Sequence, residues 1–358
     1  MQPSERRGVI GLSGGVDSAV AAALLIQAGL EVQGVVLRFW EAPFVTLPED
    51  ATESARAVAA TLGIPFTEVD LRERFYNEVV QPFLDEYTQG RTPNPCVLCN
   101  PTLKFEALLE AADQTGAQWI ATGHYARVLH PSADATSKEA HLLRSLNPQR
   151  DQSYVLYRLT QRHLTRLCLP LGDIQDKAQV REMARELDLP SADHPDSQDL
   201  CFLKGGDYRL LLQALRPDHL SPGPILDTSG RYLGKHKGLP CYTVGQRGGL
   251  GIATGAKLYV LALRPADNTM IVGPAECLER STCTLEAVTF PLGTSPTPPF
   301  SADVRIRYHA PLMPAEIALL PDACARVTFL HPQRGIVPGQ SVVFYRGEEV
   351  LGGGIIRE

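Results

Sequence analysis

A glycine- and serine-rich turn near the start of the chain contains residue types suited to binding a phosphate. Residues 11–18 (GLSGGVDS) follow an apolar run and precede a long alanine-rich segment, which predicts a strand, a turn and a helix. Adjacent glycines let the backbone approach a ligand, and the free N–H groups at a helix start favour an anion. Asp17 stands where its carboxylate would hold a divalent metal beside such phosphates. No Gly-Lys-Ser/Thr ending or Gly-x-Gly-x-x-Gly fingerprint is present, which excludes the Walker and dinucleotide loops. The alternative is a tight turn without a ligand.

A second candidate is the Cys-x-x-Cys pair Cys96 and Cys99, within the segment 90–101. Prolines 93, 95 and 101 oppose a regular helix or a central strand, so we expect both cysteines on a constrained loop. Such a loop presents thiols to a ligand, a metal or each other.

Cys201 stands in an apolar run with Leu200, Phe202 and Leu203, which favours burial in the core. The other cysteines have no ligand spacing, and we expect them to pack in the interior; they are residues 168, 241, 277, 283 and 324.

Alternating strand and helix patterns in the first two hundred residues or so indicate how these groups are positioned. The apolar run 32–39 predicts a buried parallel strand with Leu37 near its carboxyl end, and Gly123 follows another predicted strand at 117–122. The pattern predicts an α/β fold with a doubly wound parallel sheet. Ligands of such sheets bind at the carboxyl edge.

Composition limits the class of protein. A length of 358 residues predicts two or three domains, and 44% hydrophobic with 21% charged residues is typical of a soluble globular protein. No apolar run approaches the roughly 20 residues of a membrane span, and residues 1–7 lack the apolar centre of a signal peptide. We therefore expect a cytoplasmic protein in which the eight cysteines are free, catalytic or metal-bound.

The composition changes beyond residue 203. Six basic and no acidic residues lie between positions 228 and 266, so this segment could contact a phosphate backbone although the net charge is −6; the alternative is a solvated basic face. From about residue 277, alternating β-branched runs predict a small antiparallel β-barrel. The expected domains are 1–204 (ATP-binding and catalytic), 205–277 (central, contacting tRNA) and 278–358 (barrel).

Taken together, the motifs resemble one family. The loop alone resembles that of ATP enzymes that adenylate a carbonyl oxygen, such as NAD and GMP synthetases. In order along the chain follow PNPCVLCN, TGHY, DQSY, LCF, GQR and PGQSVVFY. With these, the sequence is similar to the tRNA-specific 2-thiouridylase (MnmA) family over essentially its whole length. That resemblance implies an adenine-nucleotide α-hydrolase-like first domain.

The resemblance also implies an activity: ATP-dependent 2-thiolation of the wobble uridine, position 34, of tRNA, with release of AMP and pyrophosphate. Cys201 would carry the sulfur as a persulfide, with Cys99 as its partner thiol, and the sulfur would pass directly or as sulfide freed by Cys99. Both routes end in a Cys99–Cys201 disulfide that a reductant must reopen. The implied partners are tRNA and a sulfur donor (a sulfur-relay protein or a cysteine desulfurase), with no membrane and a monomeric enzyme.

Site residues follow by the same resemblance. Those for ATP are Gly11, Leu12, Ser13, Gly14, Gly15, Val16, Asp17, Ser18, Leu37 and Gly123, with Mg²⁺ at Asp17. Those at the target base are Asn94, Pro95 and Cys96. Those for the rest of the tRNA are His124, Asp151, Gln152, Ser153, Arg307, Tyr308 and Gln340.

One residue departs from the family pattern, because many members have Asp where this chain has Cys96. With Cys99 and Cys201 it makes three thiolates, enough to hold a 4Fe–4S cluster with one iron open to sulfide. A second mechanism, with cluster-bound sulfide as nucleophile, therefore stays open. So do a ligase of the same loop class acting on a small substrate and an RNA-binding module without catalysis, although the intact loop disfavours the latter.

Overall fold

The computed structural model describes residues 6–42, 44, 51–132, 137–194, 200–203, 206–252 and 255–358. Residues 195–199, which precede the Leu-Cys-Phe motif, and the expected domain boundary at 204 and 205 lie outside the described residues. Within the described ranges, no helix has both the length and the apolar character needed to cross a membrane.

The first part of the chain builds a parallel sheet. Its strands and those of a hairpin are β1 Arg7–Gly11, β2 Glu31–Arg38, β3 Phe66–Asp70, β4 Trp119–Ala121, β5 Ala126–Leu129, β6 His141–Arg144 and β7 Leu167–Cys168. Five of them pair in the order β3-β2-β1-β4-β7, and every pairing is parallel. Val9 and Ile10 are fully buried neighbours on β1 that pack into different apolar clusters, one on each face. The predicted doubly wound sheet is confirmed.

Helices cover both faces of this sheet. They are α1 Val16–Gln27, α2 Ala51–Leu62, α3 Arg72–Phe75, α4 Gln81–Thr88, α5 Cys96–Cys99, α6 Phe105–Thr115, α7 Gln161–Leu164 and α8 Lys177–Glu186. A π-helical stretch, Tyr76–Val80, joins α3 to α4, and a second, Asn100–Lys104, joins α5 to α6. Ser153–Val155 is a short 3₁₀ turn.

The prediction that both cysteines of the pair lie on a loop without helix is wrong. Cys96–Cys99 is one helical turn that continues through the π-helical stretch into α6. Pro95 precedes the turn with φ −65°, a value compatible with a helix start. Pro101 falls in the wider π-helical stretch, where the hydroxyl of Thr102 donates to the Leu98 carbonyl at 2.9 Å. The prolines therefore shape the helix and do not prevent it.

A small central unit follows. It contains α9 Tyr208–Leu215 and the strands β8 Gly223–Leu226, β9 Tyr232–His236, β10 Tyr259–Arg264 and β11 Thr269–Gly273. The strands pair in the order β10-β11-β8-β9 around a core that includes Ile225, Val260 and Met270.

The last part of the chain forms the predicted antiparallel barrel. Its strands are β12 Arg280–Thr289, β13 Phe300–Arg305, β14 Met313–Leu320, β15 Cys324–Gln333, β16 Ser341–Arg346 and β17 Glu349–Ile356. The pairing of β12 with β17 closes six strands, and the hairpin β5–β6 adds to β17 through Leu143 and Glu349. Val343 and Tyr345 of the barrel also belong to one of the two apolar clusters of the parallel sheet. The barrel and the first domain thus share a core.

Candidate active site

The turn between β1 and α1 is folded by hydrogen bonds among its own residues. The Ser18 hydroxyl accepts from the Ser13 amide at 3.1 Å and donates to the Gly15 carbonyl at 3.0 Å. Gly14 has φ +77°, and a β-carbon there would stand 2.9 Å from the Ala51 carbonyl oxygen, so glycine is required. Gly15 caps α1 without a side-chain hydrogen bond, which leaves the first N–H groups of α1 available to an anion.

The residues of this turn divide by burial. Leu12 and Val16 are buried in the core, whereas Ser13 is exposed. Leu12 and Val16 can therefore offer a nucleotide only their backbone. The Ser13 hydroxyl and the N–H groups at the start of α1 form the surface that a phosphate would contact.

Two side chains from distant parts of the chain hold Asp17. The Tyr125 hydroxyl donates to Oδ1 of Asp17 at 2.7 Å, and the Lys177 ammonium forms an ion pair with the same oxygen. The Lys177 Nζ also lies 5.6 Å from the centre of the Tyr125 ring. Lys177 is only 9% exposed, and a buried ammonium needs such a counter-charge. The turn therefore already has a cation beside the expected phosphate position.

Leu37 and Gly123 lie at the carboxyl edge of the sheet, as expected, but have different neighbours. A β-carbon at Gly123 would stand 2.8 Å from the Asp17 carbonyl carbon and the Ser18 nitrogen, so Gly123 packs directly on the start of α1. Leu37 is half-buried at the end of β2, between two apolar clusters. Their position beside the adenosine stays a prediction.

The thiols of Cys96, Cys99 and Cys201 share one neighbourhood. Cys99 is buried in an apolar cluster with Phe202, and this burial raises the pKa of its thiol to about 12. Desolvation also raises the pKa of Cys201 to about 11, although part of that residue is exposed. The ammonium of Lys104 opposes both shifts, while negative charge on a neighbouring cysteine adds to them. The fold therefore brings together two cysteine segments that are remote in sequence.

All three parts of the chain hold the segment that leads into the cysteine pair. The Thr92 amide donates to the Pro338 carbonyl at 2.8 Å, and Nε2 of Gln340 donates to the Thr92 carbonyl at 2.7 Å. The Thr92 hydroxyl lies 3.1 Å from that of Thr243 in the central unit. Gln340 thus contacts the cysteine segment, and its contact with tRNA stays a prediction.

Asn94 and Pro95 organise the first turn that carries Cys96. The Asn94 side-chain oxygen accepts from the Cys96 amide at 3.1 Å, while Pro95 immediately precedes the turn. Asn94 is half-buried and Pro95 is buried, so both side chains support the turn even when no base contacts them.

His124, Tyr308 and Arg307 differ in their surroundings. Nδ1 of His124 is 2.7 Å from the Thr122 hydroxyl, and burial lowers the pKa of His124 well below its ordinary value, so this ring is neutral. Tyr308 comes from the barrel; burial and, to a smaller extent, negative charge on Asp151 and then on Cys96 raise its pKa to about 12. Tyr308 and Cys96 also pack against the same apolar cluster. Arg307 is exposed. Tyr308 therefore brings the barrel to the thiols.

Asp151 and Ser153 are buried rather than at an open tRNA surface. The Asp151 carboxylate lies 3.1 Å from Nη1 of Arg305 and 3.3 Å from Nε of Arg144, and it accepts from the Ser153 amide. Gln152 is half-buried and accepts from the backbone amide of Tyr125. In this structure these residues join the first domain to the barrel, and a contact of theirs with tRNA stays a prediction.

The chemistry of the donors fits magnesium better than an iron–sulfur cluster. Among the described residues, no group of three or more His, Cys, Asp or Glu is arranged to hold a metal ion, so the expectation of a 4Fe–4S cluster on Cys96, Cys99 and Cys201 is not supported. Magnesium bound chiefly to phosphates needs only one or two carboxylates. Asp17, at the start of α1, meets that requirement.

Sequence reasoning does not identify Lys177 or Lys104. Lys177 is 160 residues from Asp17, so no local pattern links them. The one sequence feature that could have indicated a role for Lys177 is its place at the first position of α8, because the dipole at a helix start disfavours a cation. Lys104 follows Cys99 by five residues. In an α-helix that spacing puts two side chains on different faces, whereas in the π-helical stretch found here it brings them toward the same face.

Family models match three consecutive parts of the chain. They are described as the tRNA methyl transferase HUP domain at residues 6–205, the tRNA methyl transferase PRC-barrel domain at 211–274 and the aminomethyltransferase β-barrel domain at 280–356.

Curated proteins that are similar over nearly the full length have the name tRNA-specific 2-thiouridylase MnmA. The protein of Roseiflexus castenholzii is 48% identical over 365 residues, covering 97% of this chain and 98% of its own. That of Chloroflexus aurantiacus is 45% identical, covering 97% of both chains. That of Carboxydothermus hydrogenoformans is 43% identical, covering 98% of this chain and 97% of its own.

Proposed function

This chain belongs to the tRNA-specific 2-thiouridylase (MnmA) family, and on that premise we propose that it is a tRNA-uridine 2-sulfurtransferase. The reaction replaces the 2-oxygen of the wobble uridine, position 34, by sulfur. The observation that carries the proposal is the meeting of two remote cysteine segments near the edge of the sheet that bears the glycine-rich turn. These thiols favour sulfur transfer over the methyl transfer mentioned in the descriptions of the family models.

The first step activates the base. ATP lies on residues 11–18, and the 2-oxygen of the uracil attacks its α-phosphorus. The bond to pyrophosphate breaks, and pyrophosphate leaves with the electron pair. Asp17 would hold Mg²⁺, which neutralises phosphate charge when bound, and Lys177 adds a second positive charge beside Asp17.

The second step transfers sulfur. The terminal sulfur of a Cys201 persulfide attacks carbon 2 of the base, and AMP leaves with the electron pair of the C–O bond. The Cys99 thiolate then attacks Sγ of Cys201, and the S–S bond electrons pass to the sulfur on the base. The products are 2-thiouridine and a Cys99–Cys201 disulfide, which an external thiol reductant reopens. Neutral thiols dominate in the resting site, because burial raises the pKa of both cysteines.

Substrate contacts follow the surfaces around the thiols. The target base must leave the anticodon stack, as bases of single-stranded RNA can. Asn94, Pro95 and Cys96 lie against it. The proposed set for the rest of the tRNA is His124, Gln152, Arg307, Tyr308 and Gln340, with Asp151 and Ser153, which are buried, on either side of Gln152 in the sequence. A separate protein delivers the sulfur to Cys201, whose exposed surface supports such access.

The direct test uses C99A and C201A. Each variant should reduce 2-thiouridine below detection, because each lacks one sulfur that the transfer requires, while ATP and tRNA affinities stay within about twofold. The measurement is mass spectrometry of tRNA nucleosides after incubation with ATP and a sulfur donor.

The matched control is C324A, since Cys324 is a half-buried cysteine of the barrel and belongs to neither thiol segment. It should thiolate tRNA like the unmodified protein. Thiolation that persists in C99A or C201A contradicts the proposed transfer.

A further inference from the structure

Lys104 is a half-buried lysine on the helix that carries the cysteine pair. It is the last residue of the π-helical stretch that joins the cysteine turn to α6. Its neighbours Leu103 and Phe105 are fully buried and anchor the backbone on both sides, whereas Lys104 itself is half-buried. The ammonium can therefore reach the site while its backbone remains in the core.

The helix face indicates where Lys104 points. Leu108 lies four residues further along α6, and a β-carbon at Gly11 would stand 3.4 Å from Cδ1 of Leu108. Residues four apart share one face of a helix, so Lys104 lies one turn from the contact with Gly11, on the side of the cysteines. Gly11 is the last residue of β1, where the glycine-rich turn begins.

The charge of Lys104 acts on groups from three segments of the chain. Its effect, smaller than that of burial, is to lower the pKa of Cys96 and Cys99 on the cysteine turn, of Cys201 and of His124. In each case desolvation has the larger effect: it raises the pKa of the thiols and lowers that of His124. These groups are therefore neutral at neutral pH.

Lys104 also has no carboxylate partner in the part of the chain that the structure describes. Two carboxylates of this region pair with other cations: Glu106, two residues along the chain, with Arg162, and Glu78 with Arg74. A half-buried cation among neutral groups is poorly compensated, and an arriving anion would balance it.

We propose that Lys104 binds the α-phosphate of the nucleotide, first in ATP and then in the adenylated base, and holds AMP as it leaves. This inference rests on the proposed function, because a base held at the cysteines can attack the α-phosphorus only if ATP on residues 11–18 has its α-phosphate on the side of the cysteines. When sulfur attacks carbon 2, the C–O bond breaks and its electron pair passes to the phosphate oxygen. A fixed ammonium beside that oxygen stabilises the developing charge.

The test compares the binding of AMP and adenosine by titration calorimetry with the full chain. In the unmodified protein AMP should bind more tightly than adenosine. K104M should weaken AMP by about 10- to 100-fold and leave adenosine within about twofold, because the variant removes only a charge-assisted contact to phosphate. K104R, which keeps the charge, should recover most of the AMP affinity.

The matched control is R162M, which removes a cation that pairs with Glu106 on the same helix but is not beside the thiols. It should bind AMP like the unmodified protein. Equal affinities for AMP and adenosine in the unmodified protein, or an unchanged AMP affinity in K104M, overturn the proposal, as does an equal loss for both ligands in a folded K104M. If K104M has a lower melting temperature, K104Q and K104R give the same comparison. Since the readout needs no tRNA, failure here is distinguishable from failure of thiolation in C99A and C201A.

Discussion

At the scale of single residues, the pair Asp17 and Lys177 is the least expected feature of the nucleotide site. The sequence predicts that the Asp17 carboxylate binds a metal, but in the structure this carboxylate forms an ion pair with the buried ammonium of Lys177. Tyr125 donates to the same oxygen, so three side chains form one unit. A phosphate or Mg²⁺ that binds at the start of α1 therefore meets both charges.

We accordingly expect K177M to lower the rate of tRNA-dependent pyrophosphate release about 10- to 100-fold, the range for removal of one preorganised charge at a reacting phosphate. Methionine keeps much of the length of the side chain, so packing against α1 should persist. tRNA affinity should stay within about twofold, because Lys177 faces the nucleotide turn. The measurement is a coupled pyrophosphate assay with filter binding of tRNA.

K177R is the matched control and should retain more activity than K177M, because it keeps the positive charge beside Asp17. An unchanged rate in K177M would mean that Lys177 acts only as a structural counter-ion to Asp17.

Residue-scale prediction succeeds where a motif is local and fails where a role depends on distant neighbours. The turn at 11–18 is recognisable from its own spacing. Cys201, in contrast, has the sequence surroundings of a core residue, and yet Phe202 and Leu203 are buried while Cys201 reaches the surface. Local hydrophobicity cannot distinguish these orientations, and only the family resemblance identifies Cys201 as a candidate.

At the scale of elements, two features define the site: the cysteine turn joined to its helix, and Gly123, just after β4, packed on the start of α1. The three prolines around the cysteine turn predict a loop there, because a proline usually interrupts a helix. The π-helical stretch from 100 to 104 accommodates Pro101 and ends at Lys104, whose positive charge acts on the thiols. Such stretches are frequent at functional sites, and a propensity argument from sequence has no means to predict them.

The second feature can be tested with G123A. The added β-carbon would stand 2.8 Å from backbone atoms of Asp17 and Ser18, which cannot move like a flexible side chain. We expect a loss of about 1–3 kcal/mol in the free energy of unfolding and weaker ATP binding, because the start of α1 must shift. Thermal unfolding and ATP titration measure the two effects.

The control for that substitution is G248A. Gly248 has open space around the position of a β-carbon and no positive φ, so its melting temperature should match that of the unmodified protein. A G123A protein as stable as G248A would show that the strand and helix can separate without cost.

At the scale of the whole molecule, the barrel is part of the site rather than an appendage. Tyr345 of the barrel packs in the core of the first domain, and Tyr308 packs on the same cluster as Cys96. Arg305 forms an ion pair with the buried Asp151. The hairpin β5–β6 continues the barrel sheet through a pairing of residues 143 and 349. The sequence predicts an antiparallel barrel but not this pairing, because nothing local relates segments so far apart. The cysteine segment, held at Thr92 by both other parts, depends on the same assembly.

The central unit supplies the surface on which tRNA binding can be tested at this scale. Lys235, Lys237 and Arg247 are exposed, and Tyr232, 56% exposed, stands on the same strand as Lys235. Arg231 is different, because it pairs with Asp227. Exposed cations and an aromatic ring are the residue types that bind the backbone and bases of RNA.

Neutralising Lys235, Lys237 and Arg247 together, each to glutamine, should therefore weaken tRNA binding about 10- to 100-fold at low salt. It should also reduce the slope of log affinity against log salt by about 2 to 3, because each phosphate without its protein cation keeps about one counterion. ATP affinity should not change, since these residues lie outside the first domain.

A triple variant of exposed barrel arginines, R326Q/R346Q/R357Q, has the same net charge and should keep the larger part of the slope. If both variants reduce the slope equally, the effect comes from net charge and the central unit has no specific role; if only the first does, tRNA binds across the central unit and reaches the thiols from that side.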